Sequence, residues 1–366
     1  MNTEHYMELA YQLALKGKGQ VSPNPMVGAV IVKNNKVIAQ GFHARCGGDH
    51  AEAAALQKAG VKAKGATLYV TLEPCSHYGR TPPCVQSIIK SGIAKVIIGM
   101  QDPNPLMNGK SIRLLKQSGI KVEVGCLSEK LVLMNEVFIK YMKERLPFVT
   151  AKTAQTIDGK IATSTGESQW ITSAAAREYA RSKRDEFDAI MVGANTIRKD
   201  NPGLNSQTKN KSLKKIIIDS HLTLSEKAKF FKATKPSDII IATTSKAKQS
   251  RINLFKKMAV TVLVAPHKGE NGWVDLTWVM NALAKLEISS VLIEGGGRLI
   301  GSALNEGLVD RVMIYVAPKI LGDADGIDSI SGRHVKKLAD NIQLKEVSVK
   351  MINQDLLIEG YVHRHR

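Results

Sequence analysis

Residues 50–75 read HAEAAALQKAGVKAKGATLYVTLEPC. A helical pattern over His50–Ala59 gives way to a strand-like run at Thr67–Thr71, which delivers the chain to Pro74-Cys75. The same alternation extends outward on both sides. Tyr6, Leu9, Ala10, Leu13 and Ala14 recur at helical spacing, and Gly17 and Gly19 punctuate the end of that opening helix. Strand-like runs follow at Val27–Val32, Lys95–Met100 and Lys121–Gly125, with helical patterns at Pro83–Ser91, Ser111–Ser118 and about Glu129–Lys143. Alternation of this kind predicts an α/β sandwich around a mainly parallel sheet.

At Arg145-Leu146-Pro147 the pattern restarts, which puts a boundary between residues 1–145 and 146–366, and 366 residues suit two domains. Strands are expected at Phe148–Ala154, Ala189–Val192, Lys215–Asp219, Asp238–Thr243, Val260–Val264, Ser290–Glu294 and Arg311–Ala317, with a strand-rich end over Leu344–Val362. The Lys-rich stretches Lys209–Lys215 and Lys227–Asp238 read as exposed loops or edges. Hydrophobic residues at 43% and charged residues at 23% exclude a disordered chain. The net charge of +19 is shared, +9 over 1–145 and +10 over 146–366, so it reads as a Lys-biased surface rather than a nucleic-acid patch. Four cysteines are too few for a disulfide scaffold at this length, and no apolar run is long enough to span a bilayer. With no signal-peptide core at the N-terminus, a cytoplasmic protein is expected.

His50 opens a helix after Gly47-Gly48-Asp49, Cys75 begins a loop, and Cys84 starts another helix after Pro83. One imidazole and two thiolates satisfy three corners of a zinc tetrahedron and leave the fourth for water. Glu52, two residues from His50, is placed to move that water's proton to a leaving amine. His-x-Glu with Pro-Cys and a second Cys is the zinc-deaminase signature, except that eight residues, rather than two, separate the cysteines. Cys46 and Cys126 read as small apolar fillers or incidental thiols.

The stretches Ser22-Pro23-Asn24-Pro25-Met26-Val27-Gly28, Gly41-Phe42-His43, Thr71-Leu72-Glu73-Pro74-Cys75-Ser76-His77, Gly79-Arg80-Thr81-Pro82-Pro83-Cys84 and Gln101-Asp102-Pro103-Asn104-Pro105 resemble the bifunctional riboflavin-biosynthesis deaminase/reductase family, whose own cysteine spacing is eight. The resemblance implies a cytidine-deaminase-like α/β/α domain that hydrolytically deaminates 2,5-diamino-6-(5-phosphoribosylamino)pyrimidin-4(3H)-one. It assigns Asn24, His77, Asp102 and Asn104 to the pyrimidine and ribose, with His43, Arg80 and Thr81 beside them. Asn24 and Asn104, next to prolines, also suit turns. The chain departs from the family pattern at Met107–Ser111 and at Cys46.

Resemblance continues through Lys152–Lys160, Gly166–Thr172, Gly193–Thr196, Asp200-Asn201-Pro202 and Leu292–Gly297. It implies a dihydrofolate-reductase-like α/β domain that reduces the ribose of 5-amino-6-(5-phosphoribosylamino)uracil to a ribityl chain with NADPH. Independently, the strand Ser290–Glu294 runs through three glycines into a helix at Arg298–Asn305, which offers backbone amides to a pyrophosphate or marks a close strand-to-helix turn. By position the family implies an NADPH cradle of Ala154, Trp170, Thr196, Asp200, Gly296, Gly297, Arg298, Leu299, Ile300, Gly301 and Ser302. Its substrate side would be Lys152, Ser168, Arg184, Leu204, Gln207 and Glu294, with Asp158 nearby. Trp170 also suits a core aromatic, and Arg184 a solvated helix face. At Asn205-Ser206-Gln207 a neutral amide stands where the family usually has a phosphate-gripping arginine.

The expected protein is therefore a hydrolase and oxidoreductase with Zn2+ and NADPH as cofactors. Its partners would be phosphorylated pyrimidines, with no nucleic acid and no membrane, in a homodimer or higher homo-oligomer. An RNA-directed base deaminase with a basic RNA-binding second half is the competing reading.

Overall fold

The computed structural model describes residues 3–76, 83–105, 107–208, 211–268, 272–333 and 335–362. The chain divides between Arg145 and Leu146 into two compact units. In the first, five strands lie in the order Lys36–Phe42, Gly28–Lys33, Thr67–Leu72, Lys95–Met100, Lys121–Val124. The last three run parallel, whereas Gly28–Lys33 is antiparallel to both of its neighbours. Four of the five strands therefore share one direction, and Gly28–Lys33 is the one exception to the mainly parallel sheet expected. The strand Lys36–Phe42 is formed by a hairpin at Asn34 and Asn35, both at positive φ (51° and 58°), the backbone a tight two-residue turn requires.

The helices Thr3–Leu15 and Ala51–Ala59 cover the sheet around the strands Gly28–Lys33 and Lys36–Phe42. A Cβ on Gly41 would lie 2.3 Å from the Ala51 carbonyl oxygen, so only glycine lets the helix carrying Glu52 approach that closely. Leu68, Ile97, Ile98 and Leu131 are almost fully buried in this core, each contributing roughly 1.5–3 kcal/mol. The helix expected over about Glu129–Lys143 is two helices, Ser128–Met134 and Glu136–Glu144. They break at buried Asn135, whose amide accepts the Met26 N–H at 2.9 Å and donates to the Met26 carbonyl at 3.1 Å.

The main sheet of the second unit holds nine strands in the order Thr261–Ala265, Ile239–Thr244, Lys214–Ile218, Ala189–Gly193, Ser290–Glu294, Phe148–Gln155, Arg311–Val316, Asp355–Tyr361, Lys345–Ile352. The first seven run parallel and the C-terminal hairpin closes the edge antiparallel. Two expected loops need correction. Lys215 is buried in its strand, and within Lys227–Asp238 the helix Lys229–Ala233 buries Phe230 and Phe231, the latter 5.2 Å from the Phe255 ring centroid. Aromatic burial outweighs the lysines that dominate that stretch. Among the described residues, no helix is long and apolar enough to cross a membrane.

Candidate active sites

In the first unit His50 caps the helix Ala51–Ala59, and Cys84 is the first residue of the helix Cys84–Lys90. Their ligand atoms converge with that of Cys75: His50 Nδ1 lies 3.5 Å from the Cys75 Sγ and 3.3 Å from the Cys84 Sγ, and all three lie within 4.8 Å of one another. Tetrahedral zinc with bonds of about 2.1 Å to nitrogen and 2.3 Å to sulfur sets nitrogen and sulfur roughly 3.6 Å apart, so the cluster is spaced for that ion. A hydrogen bond from Cys84 pulls the Cys75 thiol down to about 4, helped by His50 and by the Cys84 amide, which donates to the Cys75 sulfur at 3.2 Å. The hydrogen bond with Cys75 raises His50. Glu52 is 3% exposed, and burial, with the Cys75 charge next, raises its carboxyl above the ordinary value. A carboxyl raised in this way can both take and return a proton.

Beside the cluster, the His43 ring lies 5.5 Å from that of His50. His43 Nδ1 donates to the Asp49 carbonyl (2.9 Å), while Nε2 accepts from the Asn24 amide (3.1 Å). Burial lowers the His43 pKa, which fits this neutral tautomer. Asp102 Oδ1 accepts the Asn104 N–H at 2.8 Å. The expected residues His77, Arg80 and Thr81 lie outside the described residues. Sequence reasoning assigned nothing to buried Glu73, whose carboxylate accepts the amides of Asp102, Gly109 and Ser111.

In the second unit Glu294 and Lys152 stand opposite each other on neighbouring strands. Arg184 clasps Glu294 through two hydrogen bonds, Nε to Oε1 at 2.9 Å and Nη2 to Oε2 at 2.8 Å, so it is not a solvated helix face. Burial works against the charged form of Glu294, but the Arg184 hydrogen bonds and the Arg184 and Lys152 charges hold its carboxyl below the usual range. Burial also lowers Lys152, with the Glu294 charge opposing, and its ammonium lies 5.5 Å from the Tyr315 ring centroid. Trp170 is 60% exposed, with the Arg177 guanidinium 4.2 Å from its ring centroid, and is not a core aromatic. Leu204 is buried in the core at positive φ (48°) and can reach a ligand only through its backbone. Asp158 is occupied with the amides of Leu321 and Gly322. Gln207 is exposed and its amide nitrogen is 3.5 Å from the Glu178 carbonyl. Ser168 and Thr196 are half-buried and Asp200 is exposed.

The glycine run after Ser290–Glu294 serves two purposes. Gly295 and Gly296 have positive φ (81° each), and a Cβ on Gly295, or on Gly193 at the end of the adjacent strand, would meet nothing within 4 Å. That leaves room for a phosphate against the helix Gly297–Asn305, whose first intrahelical bond here is donated by Ile300 to Gly296. Gly297 and Gly301 instead permit close packing, since a Cβ would lie 2.3 Å from the Asp328 carbonyl oxygen and 1.8 Å from that of Ser331. Leu299 and Ile300 are buried in the core. A cofactor can therefore reach this run through Gly296, the backbone of the first turn and exposed Arg298, not through the side chains of Leu299 and Ile300.

A zinc-deaminase ligand set on one α/β unit, and a buried charged cluster beside an open glycine run on a second, define a two-unit enzyme of the zinc-deaminase class. Residues 1–100 match the cytidine and deoxycytidylate deaminase zinc-binding region, and residues 147–358 match the RibD C-terminal domain. The chain is 42% identical over 357 residues to the riboflavin biosynthesis protein RibD of Aquifex aeolicus, covering 97% of each chain. It is 38% identical over 373 residues to that of Escherichia coli, covering 98% of this chain and 99% of the other. The solved structure of Acinetobacter baumannii RibD superposes with a TM-score of 0.86 at 34% identity, over 98% of both chains. A diaminohydroxyphosphoribosylaminopyrimidine deaminase/5-amino-6-(5-phosphoribosylamino)uracil reductase from Thermotoga maritima does so with a TM-score of 0.85 at 36% identity, again over 98% of both. The chain belongs to the RibD family of bifunctional riboflavin-biosynthesis enzymes, which use zinc for deamination and NADPH for reduction. The RNA-directed alternative gives way, because the second half matches the RibD C-terminal domain.

Proposed function

We propose that residues 1–145 deaminate 2,5-diamino-6-(5-phosphoribosylamino)pyrimidin-4(3H)-one and that residues 146–366 then reduce the ribose of 5-amino-6-(5-phosphoribosylamino)uracil. The observation that carries the first step is the convergence of His50, Cys75 and Cys84 beside buried Glu52. Zinc held by those three residues supplies a Lewis acid that brings the pKa of water toward about 7. Glu52 takes the proton of the attacking water and returns it to the departing amine. Asn24, His43, His77, Asp102 and Asn104 bind the pyrimidine and ribose. The His43 ring, fixed between Asp49 and Asn24, orients the Asn24 amide.

For the second step, NADPH supplies the hydride. Ala154, Trp170, Thr196, Asp200 and the Gly296–Ser302 backbone form its cradle. Lys152, Ser168, Arg184, Leu204, Gln207 and Glu294 form the substrate side, where the Arg184–Glu294 pair fixes the carboxylate opposite Lys152, the group best placed to give a proton to the ribose oxygen. The edge strand Lys345–Ile352 carries exposed Val347, Val349 and Met351, which supports a homo-oligomer. Incubating the purified protein with the diaminopyrimidine phosphate tests the reading. Deamination without NADPH, and a ribityl product only with it, are expected. Product retaining its amine in both arms would refute the first assignment.

A further inference from the structure

We propose that Glu73 is a positioning residue for deamination: its carboxylate locks the segment bearing Asp102 and Asn104 to the segment that enters Cys75, and so holds the groups that bind the pyrimidine in place. The inference rests on the reading of the first unit as the deaminase.

Glu73 follows the strand Thr67–Leu72, and Asp102 follows its parallel neighbour Lys95–Met100. Both stand at the carboxyl ends of adjacent parallel strands, where open α/β sheets place their ligands. The Glu73 N–H donates to the Met100 carbonyl at 2.9 Å, joining the two exits through their main chains. Its side chain, 3% exposed, adds three bonds, from Asp102 and from the start of the helix Lys110–Gln117. Oε2 accepts the Asp102 N–H at 3.3 Å and the Gly109 N–H at 3.0 Å, and Oε1 accepts the Ser111 N–H at 3.1 Å. The Ser111 hydroxyl donates back to the Pro74 carbonyl, one residue before Cys75. Asp102, fixed through its amide, uses its own carboxylate to hold the Asn104 N–H.

A buried carboxylate is tolerated only when donors surround it, and bonds to an ionised acceptor are among the stronger ones. Three amides from residues 29 to 38 positions downstream meet that need. Gly109, at φ 73°, turns its N–H inward while starting the helix Lys110–Gln117. Glutamine could not replace Glu73 without loss, because its NH2 would face an N–H, donor against donor. The Glu73 carboxylate accepts from main-chain amides of the described residues, so its effect falls on substrate binding rather than on proton transfer.

The test uses full-length, zinc-loaded Glu73→Gln and Glu73→Asp, the second too short to reach all three amides. Zinc content, steady-state deamination of the diaminopyrimidine phosphate and amide hydrogen exchange are measured, with NADPH reduction on the same chain as an internal control. Zinc should stay near one per chain and reduction unchanged, while KM for deamination rises about tenfold or more and kcat stays within about threefold, the signature of lost binding alone. The amides of Asp102, Gly109 and Ser111 should exchange about tenfold faster or more. An unchanged KM in a zinc-loaded variant, or unchanged protection of those amides, overturns the proposal. If neither variant folds, exchange in the unaltered protein decides: protected amides support the clamp, and exchange at the rate of an open loop overturns it. A parent protein that never deaminates the pyrimidine refutes the deaminase reading instead, and the exchange measurement still judges the clamp.

Discussion

Arg184 and Glu294, 110 residues apart in the chain, meet as a two-point ion pair whose side chains are 14% and 9% exposed. Removing the guanidinium leaves a buried carboxylate with Lys152 as its nearest compensating charge, so Arg184→Ala should destabilise the second unit by on the order of 3 kcal/mol. Denaturant unfolding would measure this. Arg184→Lys keeps the charge but not the fork, and reduction should still fall about tenfold while deamination is untouched.

The same pair sets a pH dependence. The folded Glu294 carboxyl titrates below its ordinary range, so its stabilising contribution is present above the unfolded pKa, about 4.3, and is lost as pH falls through the folded value. The acid limb of second-unit stability should therefore flatten in Glu294→Gln. A limb identical to the parent's between pH 5 and pH 2 would contradict this, those limits being rough bounds for carboxylate titration.

Glu52→Gln should retain about one zinc per chain and lose deamination by roughly 100-fold or more, because the ligands are intact and the proton carrier is gone. Metal analysis with a deamination assay separates the two effects. Full activity in the variant would remove Glu52 from the mechanism.

Stripping the metal with a strong chelator should abolish deamination and leave NADPH-dependent reduction intact, since His50, Cys75 and Cys84 all belong to the first unit. Added zinc should restore it. Parallel loss of both activities would place a metal requirement in the second unit as well.

Gln207 is exposed, and its N–H is held by Asp185 at 3.0 Å, so the backbone that presents side chain 207 is fixed. Gln207→Arg should lower KM for the phosphorylated reductase substrate about tenfold, with no gain for a dephosphorylated one. Steady-state kinetics on both substrates checks this. An equal gain on both would mean that the arginine does not meet the phosphate.

The sequence and the structure agree where information is local. Ser290–Glu294 is a short apolar run ahead of glycines and forms the strand expected of it. His50, Cys75 and Cys84 carry chemistry in their residue types, and the fold brings them together. Bonds made across the chain left no local mark: Asn135 looks like any polar residue within a helix, and its tie to Met26 spans 109 positions. Glu73 is hidden in the same way, since its partners are backbone amides without a side-chain signature. Phe230 and Phe231 were masked by surrounding lysines, and packing decided against charge. For Gly297 and Gly301 the sequence could not separate room for a phosphate from contact with Asp328 and Ser331.

The strand Phe148–Gln155 opens the second unit yet lies in the middle of its sheet, between Ser290–Glu294 and Arg311–Val316. As the chain leaves the ribosome, this strand must wait for about 135 further residues before its first partner exists. At 5–20 residues per second the delay is roughly 7–27 s, during which the first unit has everything it needs to fold. The interval leaves Phe148, Val149 and Ala151, buried in the finished sheet, without their neighbours, so a chain that stalls before residue 290 should depend on chaperones to stay out of aggregates.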